Sequence, residues 1–173
     1  MDLEPSDIIK SHLLNIEQND DNRKIIIAEW KKIELKLSSY EFEKLTDILN
    51  LYLYHLKTEN PKKSLQDELH VFIKEIKPIN FIDEFNKFID YYLEIVDDIT
   101  NKHISSLKYL NHSVYWKSIL TPAKYNNFEN YDELLELLKK YYFQSWITDG
   151  TANRVKQTSF NILKIINNKK NRN

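Results

Sequence analysis

Apolar residues recur at intervals of three and four along almost the whole chain, the spacing that lines one face of an α-helix. After Pro5-Ser6, where proline suits a first turn and serine can cap, Ile8, Ile9, Leu13 and Ile16 make a short stripe. Ile26, Trp30, Ile33 and Leu37 follow the cap candidates Asp20 and Asp21. Phe42, Leu45, Leu49, Tyr52 and Leu56 form a third stripe. It ends at Thr58-Glu59-Asn60-Pro61, because proline drives the residue before it out of the helical region. Leu65, Leu69, Phe72 and Ile76 run from Ser64 to Pro78. The longest stripe, Phe81, Phe85, Phe88, Tyr92, Ile95 and Ile99, predicts a central helix with a break near Thr100 to Lys102, beyond which Ile104, Leu107 and Leu110 continue. A short helix from Val114 to Leu120 is expected to stop at Thr121-Pro122. Tyr131, Leu134, Leu138, Tyr141 and Trp146 predict another, closed at Asp149-Gly150 where a left-handed residue is wanted. Val155, Ile162, Leu163 and Ile166 mark the last.

No segment alternates with period two between hairpin turns, so nothing supplies a sheet. The expectation is all-α: a single irregular domain of about eight helices over residues 1–173, with a basic C-terminal helix at about 151–169. Self-similarity at a fixed spacing, the mark of a helical solenoid, is absent.

Composition removes several classes of chemistry. Gly150 is the only glycine and there is no cysteine. Phosphate-cradling loops need glycines where backbone approaches a ligand or takes positive φ, so a P-loop or dinucleotide-binding turn has no material. Disulfides and thiolate metal sites are excluded, and the lack of cysteine fits a reducing compartment. There is no signal-peptide pattern and no apolar run of the length a span requires. The expected location is cytoplasmic, away from any membrane.

The net charge of −1 hides an asymmetry. Residues 150–173 hold Arg154, Lys156, Lys164, Lys169, Lys170 and Arg172 with no acid, so this end carries +6 and the rest −7. A basic end can bind nucleic acid through counterion release, or it can be a solvated helix end whose lysines complement the macrodipole. Arg154, Lys156 and Lys164 are the candidates for phosphate or partner contacts, since phosphate contacts need positive charge and little special geometry. Aromatic residues make up 13% and fall mostly on the apolar stripes, which reads as core. Trp30, Trp116 and Trp146 are expected to be core anchors. Stacking on bases would need aromatics exposed beside basic residues.

Catalytic constellations are sparse. His12, His55, His70, His103 and His112 lie on separate helices. Asp67 and His70 resemble half of the carboxylate-x-x-His arrangement of di-iron bundles, but the second copy and two further glutamates are missing. Asp83, Asp90, Glu94 and Asp97, with Lys87 among them, line the central helix opposite its aromatic stripe and read as a solvated face. No Gly-x-Ser-x-Gly elbow is present, and no arginine is followed closely by a histidine. No catalytic residue, metal site or cofactor is expected.

Two segments carry a family resemblance. Leu3 to Leu14, followed by Ala28-Glu29-Trp30-Lys31-Lys32-Ile33, resembles a helix and the downstream Trp helix of GmrSD-like modification-dependent restriction and phage-defence proteins. Tyr115-Trp116-Lys117-Ser118-Ile119-Leu120, then Tyr141 to Ile147 and Asn153-Arg154, is similar to the later helical part of those proteins. Two family signatures are absent: the Asp-Gly-Gln-Gln-Arg run of the ParB/sulfiredoxin-like N-terminal domain, and the His-Asn-His nuclease. The resemblance therefore implies the helical portion that follows the catalytic domain, from a truncated or split gene. It would support a ParB-like nucleotide-binding or nuclease subunit and help present DNA to it. The alternative is a free-standing helical module that binds a partner protein.

Overall fold

Local capping chemistry decides where each stripe becomes a helix in the computed structural model, which describes residues 4–110, 113–148 and 151–170. Nine helices and no strand occur among the described residues. The helix α1 is Pro5–Ile16, α2 Asp20–Leu37, α3 Leu45–Lys57, α4 Leu65–Ile76 and α5 Pro78–Asp97. They are followed by α6 Lys102–Lys108, α7 Ser113–Tyr125, α8 Tyr131–Ile147 and α9 Ala152–Lys170. The all-α expectation holds, and the nine helices among the described residues come close to the expected number of about eight, with the central stripe cut cleanly. The Asp98 carboxylate accepts from Thr100 N, Thr100 Oγ1 and Asn101 N at 3.2, 2.9 and 3.0 Å. The Asn101 side chain then caps α6 through His103 N and Ile104 N. These local bonds compete with helical ones and end α5 at Asp97, leaving Ile99 outside the helices and 79% exposed.

Other boundaries differ for similar reasons. Asn19, not Asp20 or Asp21, caps α2 by accepting from Asp21 N and Asn22 N, which leaves the two aspartates in the first turn near the positive end of the dipole. Pro5 opens α1 at its first turn, but Ser6 lies inside the helix and the cap position is Glu4. Phe42 is exposed ahead of α3. Pro122 does not stop α7: the helix runs through it to Tyr125. Proline forfeits a bond to the Ser118 carbonyl, yet Leu120, Thr121, Pro122 and Ala123 are all buried, and that burial offsets the loss near the helix end. The expected closure of α8 by Gly150 lies outside the described residues.

Glycine poverty leaves its mark at three helix ends. Thr58, Lys77 and Asn127 take φ of 54, 74 and 50°, the left-handed region that glycine ordinarily occupies after a helix.

The chain forms two compact units, Met1–Lys57 with Pro61–Ile89, and Thr58–Asn60 with Asp90–Asn173. In the first, α1 packs against α2, α3 and α4. Tyr52 sits among Phe81, Phe85 and Phe88 with ring centroids 5.5, 5.2 and 5.0 Å away. Each such pair contributes about 0.5–1.5 kcal/mol beyond the area it buries. In the second unit α7 packs on α8 and α9, and α6 packs on α7 and α8. Trp116, Ile119, Leu135, Leu138, Val155 and Leu163 are buried there. The Ser159 hydroxyl donates to Val155 O at 2.8 Å, so the Tyr142 hydroxyl, 3.2 Å away, donates to Ser159 Oγ across α8 and α9. Burial raises the Tyr142 phenol well above its ordinary value. No helix among the described residues is long and apolar enough to cross a membrane.

Candidate functional site

The helix α8 carries more apolar surface than its neighbours cover. Leu135, Leu138 and Tyr142, spaced three and four apart, form its buried seam. A parallel stripe at the same spacing, Leu134, Leu137 and Tyr141, flanks that seam on one side. On the other side lie Lys139, Phe143 and Trp146, spaced four and three. Leu137, Phe143, Trp146 and Ile147 are all more than half exposed, so both flanks of one helix remain apolar and open.

The first flank faces α9 across a groove of about 390 Å³. Phe128, Leu134, Leu137, Leu138 and Tyr141 form one wall, and Thr158, Ile162, Ile165 and Ile166 the other. Its sides run for about 10 Å of helix at 1.5 Å per residue, close to two turns. Among the described residues, threonine is the only side chain in the lining that is neither aliphatic nor aromatic. Charges mark the two ends. Arg154 lies on the Thr158–Ile165 stripe of α9, one turn before Thr158, exposed and without an ion pair among the described residues. Glu133, also exposed, precedes Leu134 at the far end of α8.

The three cations proposed from the sequence are thus divided. Arg154 is outside the groove lining and by helical spacing extends the stripe of α9 that forms one wall. Lys156 and Lys164 lie beyond the buried seam of α9, and Phe160, four residues from each and only 4% exposed, separates them along their own stripe. The structure does not bring the three to one patch.

The second flank faces α6 across a cleft of about 530 Å³ lined by Ser106, Tyr109, Leu110, Lys139, Phe143 and Trp146. Trp146 is 58% exposed and is no core anchor, whereas Trp30 and Trp116 are fully buried. A helical stripe records only the spacing of apolar residues. Which arc of α8 is covered depends on α6, α7 and α9, and that is a tertiary outcome.

Histidines meet where spacing gave no sign. His12 of α1 and His70 of α4 stand edge to face with ring centroids 4.6 Å apart. Burial, then the neighbouring His70 imidazole, lowers the His12 pKa, with Asp67 opposing and Lys74 assisting. Asp67 instead accepts the Ser64 hydroxyl at 2.6 Å, in the cap of α4. No three His, Asp or Glu side chains gather to hold a metal ion among the described residues. Asp83, Lys87, Asp90, Glu94 and Asp97 are exposed, as expected of a solvated face.

Comparison with protein-family models, with curated proteins and with solved structures returns no match to this chain.

Proposed function

We propose that this chain works by binding rather than by catalysis, as a helical module whose α8/α9 groove receives an amphipathic helix of a partner protein. The supporting observation is the groove itself: an open, almost wholly apolar trough about two turns long with opposite charges at its ends. An incoming helix with apolar residues at i, i+3 or i+4, and i+7 fills it. An acidic residue at one end of that helix meets Arg154, and a basic residue at the other meets Glu133. The resemblance to GmrSD-like proteins narrows the partner further, to a ParB-like nucleotide-binding or nuclease subunit. In that setting the module holds the catalytic subunit in place.

A photo-cross-linking amino acid at Ile165, tested in native cells against one at the exposed Leu35 of α2, examines this reading. The expected product joins position 165 to a single helical segment of another protein, apolar at helical spacing and acidic at one end. A cross-link to a second copy of this chain, equal labelling from Leu35, or no adduct at 165 would overturn it.

A further inference from the structure

The two flanks of α8 differ in chemistry. Aliphatic side chains dominate the α9 side, and aromatic ones the α6 side. In the α6/α8 cleft Tyr109 is 90% exposed, and Phe143 and Trp146 are each more than half exposed. The Phe143 and Trp146 rings lie 6.1 Å apart and are tilted by 37°, so they do not stack face to face on each other. Rings left this open forgo part of the gain that burying apolar surface brings. Among the described residues the cleft also holds one half-buried lysine, Lys139, and no carboxylate. Lys139 makes no close ion pair among the described residues and acts on Glu136 only at longer range, while the adjacent Lys140 is held by Glu136 at 2.7 Å. The Ser106 hydroxyl is spent on Lys102 O at 2.7 Å and offers the cleft only acceptor lone pairs.

An occupant has to satisfy all of this at once. A purely apolar segment would desolvate the Lys139 ammonium and give it no new partner, which is unfavourable. A free phosphate would leave three rings uncovered. A flat π-system joined to an anion satisfies both, and Lys139, Phe143 and Trp146 lie along one stripe of α8 about 10 Å long. We propose that the α6/α8 cleft is a stacking site for a nucleobase whose phosphate pairs with Lys139. The base-phosphate unit comes either from a free nucleotide or from a single strand, which present the same chemistry. This is the arrangement of exposed aromatics beside a basic residue that base stacking requires, and it is independent of the α8/α9 groove.

Because Trp30 and Trp116 are fully buried, Trp146 is the solvent-facing indole and reports on the cleft. Fluorescence of the full chain would be titrated at low salt with AMP and with a short oligo(dA), exciting at the red edge where adenine does not absorb. Saturable quenching by both ligands indicates recognition of the free unit, and quenching by the oligonucleotide alone indicates a strand. Either supports the proposal. Lys139→Glu should weaken binding at least about tenfold through loss of a charge-assisted contact. Phe143→Ala should weaken it by about as much through loss of a stacking surface. Both positions reach solvent, so circular dichroism should show both variants folded. Lys139→Gln, which keeps the stem without the charge, repeats the test should the reversal disturb the helix. The proposal is overturned if neither ligand gives saturable quenching, if folded variants bind as the wild type does, or if quenching follows protein concentration instead of ligand.

Discussion

Replacing Glu68 with glutamine removes one charge from a nearly buried carboxylate and should cost this protein about 2 kcal/mol at neutral pH. Glu68 Oε1 accepts from Lys57 Nζ at 2.6 Å, Lys62 N at 2.9 Å and Lys63 N at 3.1 Å, which ties the end of α3 and the segment before α4 to α4 itself. The Lys57 contact, aided by the two backbone N–H groups and opposed by burial, pulls the carboxyl from 4.5 to about 2. A shift of that size corresponds to about 3 kcal/mol by linkage. Residual solvent at the lysine, whose side chain is 15% exposed, screens this toward about 2 kcal/mol. Glutamine keeps an acceptor for the two amides and loses only the charge that Lys57 needs. The sign follows from the depressed pKa. The contribution is complete above the unfolded value near 4.5 and is lost as pH falls from there toward 2. Urea unfolding followed by circular dichroism should therefore show Glu68→Gln less stable than wild type at neutral pH, with the gap narrowing below about pH 4.5 and closing only near pH 2. Equal stability at neutral pH, or a gap that persists on acidification, would refute the reasoning.

Three further outcomes are expected. Lys77→Gly should raise stability by about 0.5–1 kcal/mol in the same urea assay, because Lys77 holds φ 74° and ψ 141°, a conformation that penalises any residue with a Cβ; no gain would mean that the backbone there is unstrained. Stability should decline as pH drops below the ordinary histidine value of 6.5, because the folded state resists protonation of His12 while the unfolded chain does not. His12→Gln should flatten part of that decline, and an unchanged profile would count against the buried His12 as its source. Trp146→Phe should remove the red-shifted, acrylamide-accessible part of the fluorescence and leave the emission of Trp30 and Trp116 blue-shifted; unchanged emission would place Trp146 in the core.

Much of the fold was legible because apolar spacing, Ser64 and the proline at 61 act within a few residues of the boundaries they set. Boundaries went astray where two local signals competed. Asn19 outcompeted the aspartates beside it as a cap, Asp98 and Asn101 terminated α5 before Ile99, and burial carried α7 through Pro122. The candidate surfaces were less legible. The sequence placed Leu134, Leu138, Tyr141 and Trp146 on a single stripe, but the structure spreads them over a buried seam and two open flanks. Arg154 stands out in the sequence only by its charge, and the fold sets it apart from Lys156 and Lys164 by lining the groove with the Thr158–Ile165 face of α9. The His12–His70 contact depends on α1 meeting α4, which no spacing within either helix encodes.

The central claim, that the α8/α9 groove docks a partner helix, is tested most directly by the affinity of that helix, made as a synthetic peptide from the segment cross-linked at position 165. The wild-type chain should bind it, and Leu137→Glu should weaken binding by about tenfold or more through lost apolar burial. Arg154→Glu should weaken it in a salt-dependent way, and Lys156→Glu, beyond the seam of α9, should leave it unchanged. Equal affinity for the wild-type and Leu137→Glu chains would contradict the account.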